Sequence, residues 1–177
     1  MLLAYDKLLD MAKAVFLDRD HTLNPDSGYI SDPNKFDLYP WVPAELAKLK
    51  AKGFLLIVVS NQSGIARGLI TWEQLNLIHR KMDETLERLV QIKIDSYQVC
   101  PHHPDEECTC RKPKPKLFLD VAKAYGIDLS KSYMIGDRET DMKAGTNAGV
   151  KKTLLVKPDD EESFKAAVDS ILNSETN

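Results

Sequence analysis

Apolar positions follow two periods along the chain. Short unbroken apolar runs read as buried strands at residues 13–17 (KAVFL), 54–59 (FLLIVV), 96–99, 132–135 (SYMI) and 153–156 (TLLV). Between them lie segments of helical period. Thr71 and Gln74 have the spacing of a capping box, with Ile70 and Leu75 placed to staple it. The stripe Leu75, Ile78, Met82, Leu86, Leu89 then steps by three or four, so this helix buries one face. A shorter helix is predicted over 43–52, entered by Pro43 and stopped by Gly53. Leu117, Val121 and Tyr125 begin another that ends at Gly126, and 141–148 precede Gly149 in the same way. His79 reads as a neutral residue on a face of the capped helix.

Strand and helix alternate, and the strands lack polar alternation. Both features predict an α/β fold, a doubly wound parallel sheet covered on its two faces. Such sheets bind ligands at the carboxyl ends of their strands, so the residues after each strand carry the functional question.

After the first strand come Asp18 and Asp20, two carboxylates one residue apart. One could attack phosphorus and form an acyl phosphate, while the other protonates a leaving oxygen and later deprotonates water. The pair would need a divalent cation to offset its repulsion. The plain alternative is a solvated turn. After the second strand, Ser60, Asn61, Gln62, Ser63 and Gly64 offer a hydroxyl, amides and backbone N–H groups to a phosphate, or form an ordinary polar turn. After the fourth, Asp137 would complete an oxygen-rich Mg²⁺ site. Asp141 falls in the first turn of a helix, where a carboxylate also suits the dipole.

The 177 residues favour one domain, expected over 13–177 behind an extension at 1–12, with Met11 an alternative start. Apolar residues at 43% exclude a disordered chain. A net charge of −3 argues against a general nucleic-acid binder. No apolar run approaches the ~18 residues of a membrane span, and residues 1–15 make a poor signal peptide. A cytoplasmic monomer without membrane or nucleic-acid partners is expected.

The three cysteines, Cys100, Cys108 and Cys110, fall within eleven residues. With His102, or His103 as the alternative, they make a tetrahedral zinc set. A site closed by four ligands is structural, and it would aim the two cations that follow it. Lys112 could neutralise phosphoryl charge and Arg111 could clamp a substrate phosphate.

The ordered set Asp18-x-Asp20-x-Thr22, Ser60, Lys112 and Gly136-Asp137-x-x-x-Asp141 resembles the four motifs of the haloacid-dehalogenase-like phosphotransferases. The segments FLDRDHTLN, SNQSGIARG, CPHHPDEECTCRKPKPKL and SYMIGDRETDM are similar to the D-glycero-D-manno-heptose 1,7-bisphosphate 7-phosphatase and histidinol-phosphatase group, from Lys13 to about Pro158. That resemblance implies a Rossmann-like sheet with a minimal cap, the zinc loop forming part of its rim. It implies Asp18 as nucleophile, Asp20 as general acid/base, and Ser60 and Lys112 on the transferring phosphoryl group. Mg²⁺ would be held by the Asp18 side chain, the Asp20 main-chain carbonyl and Asp137, with Thr22 and Asp141 in support. Zinc would be held by Cys100, His102, Cys108 and Cys110. Asp26, Ser27, Gly28, Tyr29, Asn61, Gln62, Ser63 and Arg111 would contact the rest of a phosphorylated small molecule, and Arg67 a second phosphate. A heptose bisphosphate is favoured, with histidinol phosphate as the alternative. A phospho-accepting signalling domain is the reading from another class. A nucleic-acid-binding zinc module fits poorly with the acidic chain. The group usually has glycine after the second aspartate, where this chain has His21; a positive φ there would strain it.

Overall fold

The computed structural model describes residues 11–26 and 28–175. Five parallel strands form one sheet: β1 (Ala14–Leu17), β2 (Leu55–Asn61), β3 (Ser96–Cys100), β4 (Tyr133–Gly136) and β5 (Lys152–Leu155), in the order β3-β2-β1-β4-β5. The helices are α1 (Val42–Ala51), α2 (Trp72–Val90), α3 (Lys116–Tyr125), α4 (Glu139–Ala148) and α5 (Glu161–Ser174).

Alternate strand residues feed two cores, as the period of two requires. Val15, Leu17, Leu56, Val58, Tyr133 and Ile135 pack with residues of α1, α2 and α5. Ala14, Phe16, Ile57, Val59 and Met134 pack with residues of α3 and α4 on the other face. β1 is covered on both faces and all four of its residues are buried. Burial of a large aliphatic side chain stabilises by about 1.5–3 kcal/mol, so the central strands are the firmest part of the scaffold.

The register decides where polar residues emerge. Leu17 pairs with Val58 on one side and Ile135 on the other. The carboxyl ends of β1, β2 and β4 are therefore nearly level, and Asp18, Ser60 and Asp137 come out along one edge. β2 runs further, pairing Asn61 with Cys100, which brings the cysteine loop to the same edge.

The predicted elements are present with ends shifted by one or two residues. At the end of α2, Val90 packs on the core while Leu89 faces solvent. Tyr125 is also exposed, its hydroxyl donating to the Asp95 carbonyl (3.2 Å). α5 was not among the predicted helices, although Phe164, Ala167, Val168 and Ile171 are buried at helical spacing behind an Asp160 cap. Among the described residues, no helix is long and apolar enough to cross a membrane.

The capping box at α2 forms as expected. Gln74 N–H donates to Thr71 Oγ1 (3.1 Å), and Thr71 N–H to Gln74 Oε1 (2.9 Å). Thr71→Ala should lower stability by about 1 kcal/mol. Chemical denaturation will show this as a lower midpoint at unchanged slope.

Candidate active site

Three strand ends and one loop build the site. Asp18 follows β1, Ser60 lies near the end of β2, Asp137 follows β4, and Lys112 arrives from the loop between β3 and α3. The Lys112 side chain is 2% exposed. Its ammonium contacts Asp18 Oδ1 (2.7 Å), Asp141 Oδ1 (2.6 Å) and the Val59 carbonyl (2.7 Å). Burial alone would lower its pKa, but the Asp18 and Asp141 carboxylates outweigh burial and raise it. Lys112 therefore stays charged. Asn61 fixes the Lys112 backbone from both sides: Lys112 N–H donates to Asn61 Oδ1 (3.1 Å) and Asn61 Nδ2 to the Lys112 carbonyl (3.2 Å).

Asp141 has two tasks. Its Oδ2 accepts the Arg138 N–H (3.0 Å) at the start of α4, and its Oδ1 holds Lys112. Gly136 makes room for this carboxylate, since a Cβ there would lie 2.6 Å from Asp141 Oδ2.

Asp18, Asp137 and Asp141 each offer a carboxylate oxygen, all within 4.8 Å of one another. Burial, then the charges of Asp18 and Asp141, push the Asp137 carboxyl up to about 6. Thr22 Oγ1 donates to Asp137 Oδ1 at 3.4 Å. A buried cluster of hard oxygen donors with excess negative charge fits a small divalent cation.

The Asp20 carboxylate is turned into a separate network. It accepts from Arg19 Nε (2.9 Å), Arg19 Nη2 (2.9 Å), Asn24 Nδ2 (3.1 Å) and Gln62 Nε2 (2.7 Å). Burial opposes its charge, but Arg19 and the two amides outweigh it and hold the carboxyl below its usual range. Gln62 Nε2 also donates to Ser60 Oγ (2.8 Å). His21, in the tight turn beside these residues, has φ 62°, the left-handed conformation that glycine tolerates and histidine adopts under strain. Its N–H donates to the Asn24 carbonyl (2.7 Å), closing the turn.

Cys100, His102, Cys108 and Cys110 form one cluster with ligand atoms within 4.8 Å of one another. Cys100 Sγ lies 3.0 Å from Cys110 Sγ and 3.7 Å from Cys108 Sγ, and His102 Nδ1 lies 3.2 Å from Cys110 Sγ. All three cysteines are free thiols. Ligands about 2.3 Å from a tetrahedral centre would be about 3.7 Å apart, so a zinc ion fits with a slight opening of the shortest edge. Burial, then Cys110, pushes the Cys100 thiol up; for Cys108, hydrogen bonds from the Arg111 and Cys110 backbone and from the neighbouring thiols outweigh burial and lower it. His103 is turned toward its own loop, accepting the Asp105 N–H on Nδ1 (3.3 Å). The loop is stitched to the β2 turn by Gln62 N–H to the Cys100 carbonyl (2.8 Å) and Ala66 N–H to the Pro101 carbonyl (3.2 Å).

A cleft of about 540 Å³ opens over the strand ends. Asp18, Asp20, Ser60 and Lys112 line its floor, with Asp26, Gly28, Tyr29, Asn61, Gln62, Ser63 and Arg111 among the other lining residues. Tyr29 packs on the β2 turn, where a Cβ on Gly64 would meet its ring at 2.6 Å. Ser27 lies outside the described residues. Arg67 is exposed and does not line the cleft.

Sequence reasoning overlooked Arg19, Asn24 and Arg138. Arg19 is 1% exposed despite its charge, and its position between two aspartates was the available signal. Arg138 lines the cleft next to Asp137, its Nε 3.7 Å from Asp137 Oδ2.

A parallel sheet with paired aspartates, a hydroxyl and a buried lysine at its carboxyl edge defines a phosphoryl-transfer hydrolase of the haloacid-dehalogenase type. The HAD-hydrolase-like family model matches residues 109–174. The D-glycero-beta-D-manno-heptose-1,7-bisphosphate 7-phosphatase of Helicobacter pylori (strain ATCC 700392 / 26695) is 42% identical over 144 residues, 81% of this chain and 83% of that protein. The Yersinia pestis phosphatase of the same name is 41% identical over 171 residues, 91% and 90% of the two chains. The D,D-heptose 1.7-bisphosphate phosphatase of B. bronchiseptica, solved with magnesium and phosphate, superposes with a TM-score of 0.82 at 30% identity, covering 92% of this chain and 99% of that one. The chain belongs to the heptose-bisphosphate phosphatase family of HAD-like hydrolases.

The raised Asp137 pKa gives a signed expectation. A carboxyl raised from 3.8 to about 6 in the folded state binds its proton more tightly there than when unfolded. Its contribution to stability is therefore full below pH ~4 and is lost as pH rises through about 6. In metal-free protein, Asp137→Asn should match the parent's melting temperature near pH 4 and exceed it above pH 6. Millimolar Mg²⁺ should then stabilise the parent more than the variant, which differential scanning fluorimetry will resolve.

Proposed function

We propose that this protein removes the 7-phosphate of D-glycero-D-manno-heptose 1,7-bisphosphate through an aspartyl-phosphate intermediate. The observation that carries the chemistry is Asp18 at a strand end, held by the charged, buried Lys112 through one oxygen. Its other oxygen attacks the phosphorus in line with the leaving sugar oxygen. Lys112 and the Ser60 hydroxyl receive the phosphoryl oxygens as their charge builds. Asp20 donates a proton to the leaving oxygen, then takes one from the water that cleaves the acyl phosphate. Asp18, Asp137 and the Asp20 main-chain carbonyl would hold Mg²⁺, with Thr22 and Asp141 in support. When bound, Mg²⁺ supplies charge neutralisation between these carboxylates and the phosphate.

Two features support a bisphosphate. Arg111 and Arg138 line the cleft in addition to Lys112, giving it cations beyond those the reacting phosphate uses. A second phosphate matches them better than the cationic side of histidinol phosphate. Asp26 and Glu139 also line the cleft and suit sugar hydroxyls. The names of the 40–42% identical relatives point the same way. Cys100, His102, Cys108 and Cys110 would hold zinc as a structural clasp that sets the direction of Arg111 and Lys112. We read residues 13–177 as one phosphatase domain working as a cytoplasmic monomer, a reducing setting that suits three free thiols.

The purified protein, assayed with Mg²⁺ on the heptose bisphosphate and on histidinol phosphate, should show kcat/KM at least tenfold higher on the bisphosphate. The reverse order would make histidinol phosphate the substrate. Asp18→Asn should lose more than about 10³-fold in kcat with an unchanged circular dichroism spectrum; full activity would exclude the aspartyl-phosphate route.

Cys110→Ser tests the clasp. Metal analysis should find one zinc per parent chain and little in the variant, with a melting temperature several degrees lower. Equal metal content in the two proteins would remove zinc from this site.

A further inference from the structure

Arg19 is among the largest fully buried side chains of the protein, at 1% exposure. An arginine taken out of water at such cost usually satisfies several acceptors. Here, among the described residues, the guanidinium hydrogen-bonds only Asp20, through Nε and Nη2, while Nη1 is buried without a partner. An unpaired buried donor is itself costly, so the arginine is poorly explained as a packing element. Its bidentate grip fixes the carboxylate plane in a way that a single contact would not.

The remaining contacts continue this restraint. Asn24 donates to the Oδ1 that Arg19 Nε holds, and Gln62 to the Oδ2 that Arg19 Nη2 holds. Both oxygens of Asp20 thus face donors, an arrangement complementary to a carboxylate acting as acceptor. Gln62 carries the same restraint to Ser60 Oγ, and Arg19 itself lines the cleft.

We propose that Arg19 is a positioning residue that holds the Asp20 carboxylate as the base for hydrolysis of the aspartyl-phosphate. The proposal rests on the phosphatase reading above and assigns Arg19 to one half of the reaction. In that half, a water oxygen bonds to phosphorus, the bond from phosphorus to the Asp18 oxygen breaks, and the water proton passes to Asp20. Inorganic phosphate leaves and Asp18 regains its carboxylate. The proton on Asp20 serves the leaving group of the next turnover. Loss of the bidentate grip leaves Asp20 held by only one amide on each oxygen, so its plane is less firmly set and attack by water slows. Formation of the intermediate from an activated ester, whose leaving group needs no proton, is spared.

The test uses the full chain with Mg²⁺ and p-nitrophenyl phosphate, alongside the heptose bisphosphate. Arg19→Met should lower kcat on the aryl ester about 10²-fold while kcat/KM stays within about threefold, because KM falls with kcat. Acid-quenched samples should show phosphoenzyme rising to most of the protein. Arg19→Lys, which keeps the charge with one point of contact, should fall between the parent and Arg19→Met on both measures. It carries the test alone should the methionine variant fail to fold. Unchanged kcat, or a parallel loss of kcat and kcat/KM without phosphoenzyme, would overturn the proposal. A parent enzyme that cleaves the aryl ester but not the sugar bisphosphate would overturn the substrate reading and leave the Arg19 test intact.

Discussion

The ammonium of Lys112 lies where the strand ends converge, and much of the site depends on its charge staying there. Asp18, Asp137 and Asp141 are crowded into one buried volume. At an effective dielectric near 20, two like charges about 4 Å apart repel by roughly 4 kcal/mol. Lys112 meets two of the three carboxylates and a main-chain carbonyl at once. Breaking such a buried pair typically costs about 3–5 kcal/mol, because the surviving charge has no solvent to turn to. The rest of the region can be understood as the means of bringing one lysine to this point. The cysteine loop carries it, Asn61 clips its backbone, and the small Gly136 lets Asp141 close on it.

The site therefore separates its two aspartates by environment. Asp18 belongs to the acidic cluster and shares Lys112 with it. Asp20, two residues later, faces Arg19 and two amides and takes no part in that cluster. Two carboxylates that are neighbours in sequence thus have different partners, which is what distinct chemical roles require. The tight turn at His21 follows directly and folds Asn24 back onto Asp20, closing the second environment.

Much of the fold was legible from the sequence, for physical reasons that can be named. The apolar runs of β1, β2 and β4 are buried because those strands are covered on both faces, whereas the edge strands β3 and β5, expected to be buried as well, are part-exposed. The Thr71–Gln74 spacing marked a helix start that the hydrogen bonds reproduce. The C-terminal helix was less legible, because its buried stripe, Phe164, Ala167, Val168 and Ile171, includes a small alanine and follows a strand end without distinctive chemistry. The ligand spacing of the cysteine cluster was readable, and the choice of His102 over His103 depended on the turn of a short loop. Partnerships made across long sequence distances were hidden. Asn61 with Lys112, and Gln62 with Asp20 and Ser60, are amides that the sequence offers to substrate and that the fold has already engaged. Arg19 was hidden for a different reason, since a charged residue in a turn is ordinarily solvated.

The contact between Tyr29 and Gly64 ties together two loops that lie 35 positions apart. The ring fills the space a side chain at 64 would occupy, and Ile70 closes it from another direction at 2.8 Å. Neither position is free to drift by itself. A methyl at 64 would have to displace both the Tyr29 ring and the Ile70 side chain. Tyr29 lines the cleft, so its seat on Gly64 and Ile70 fixes one side of the entrance.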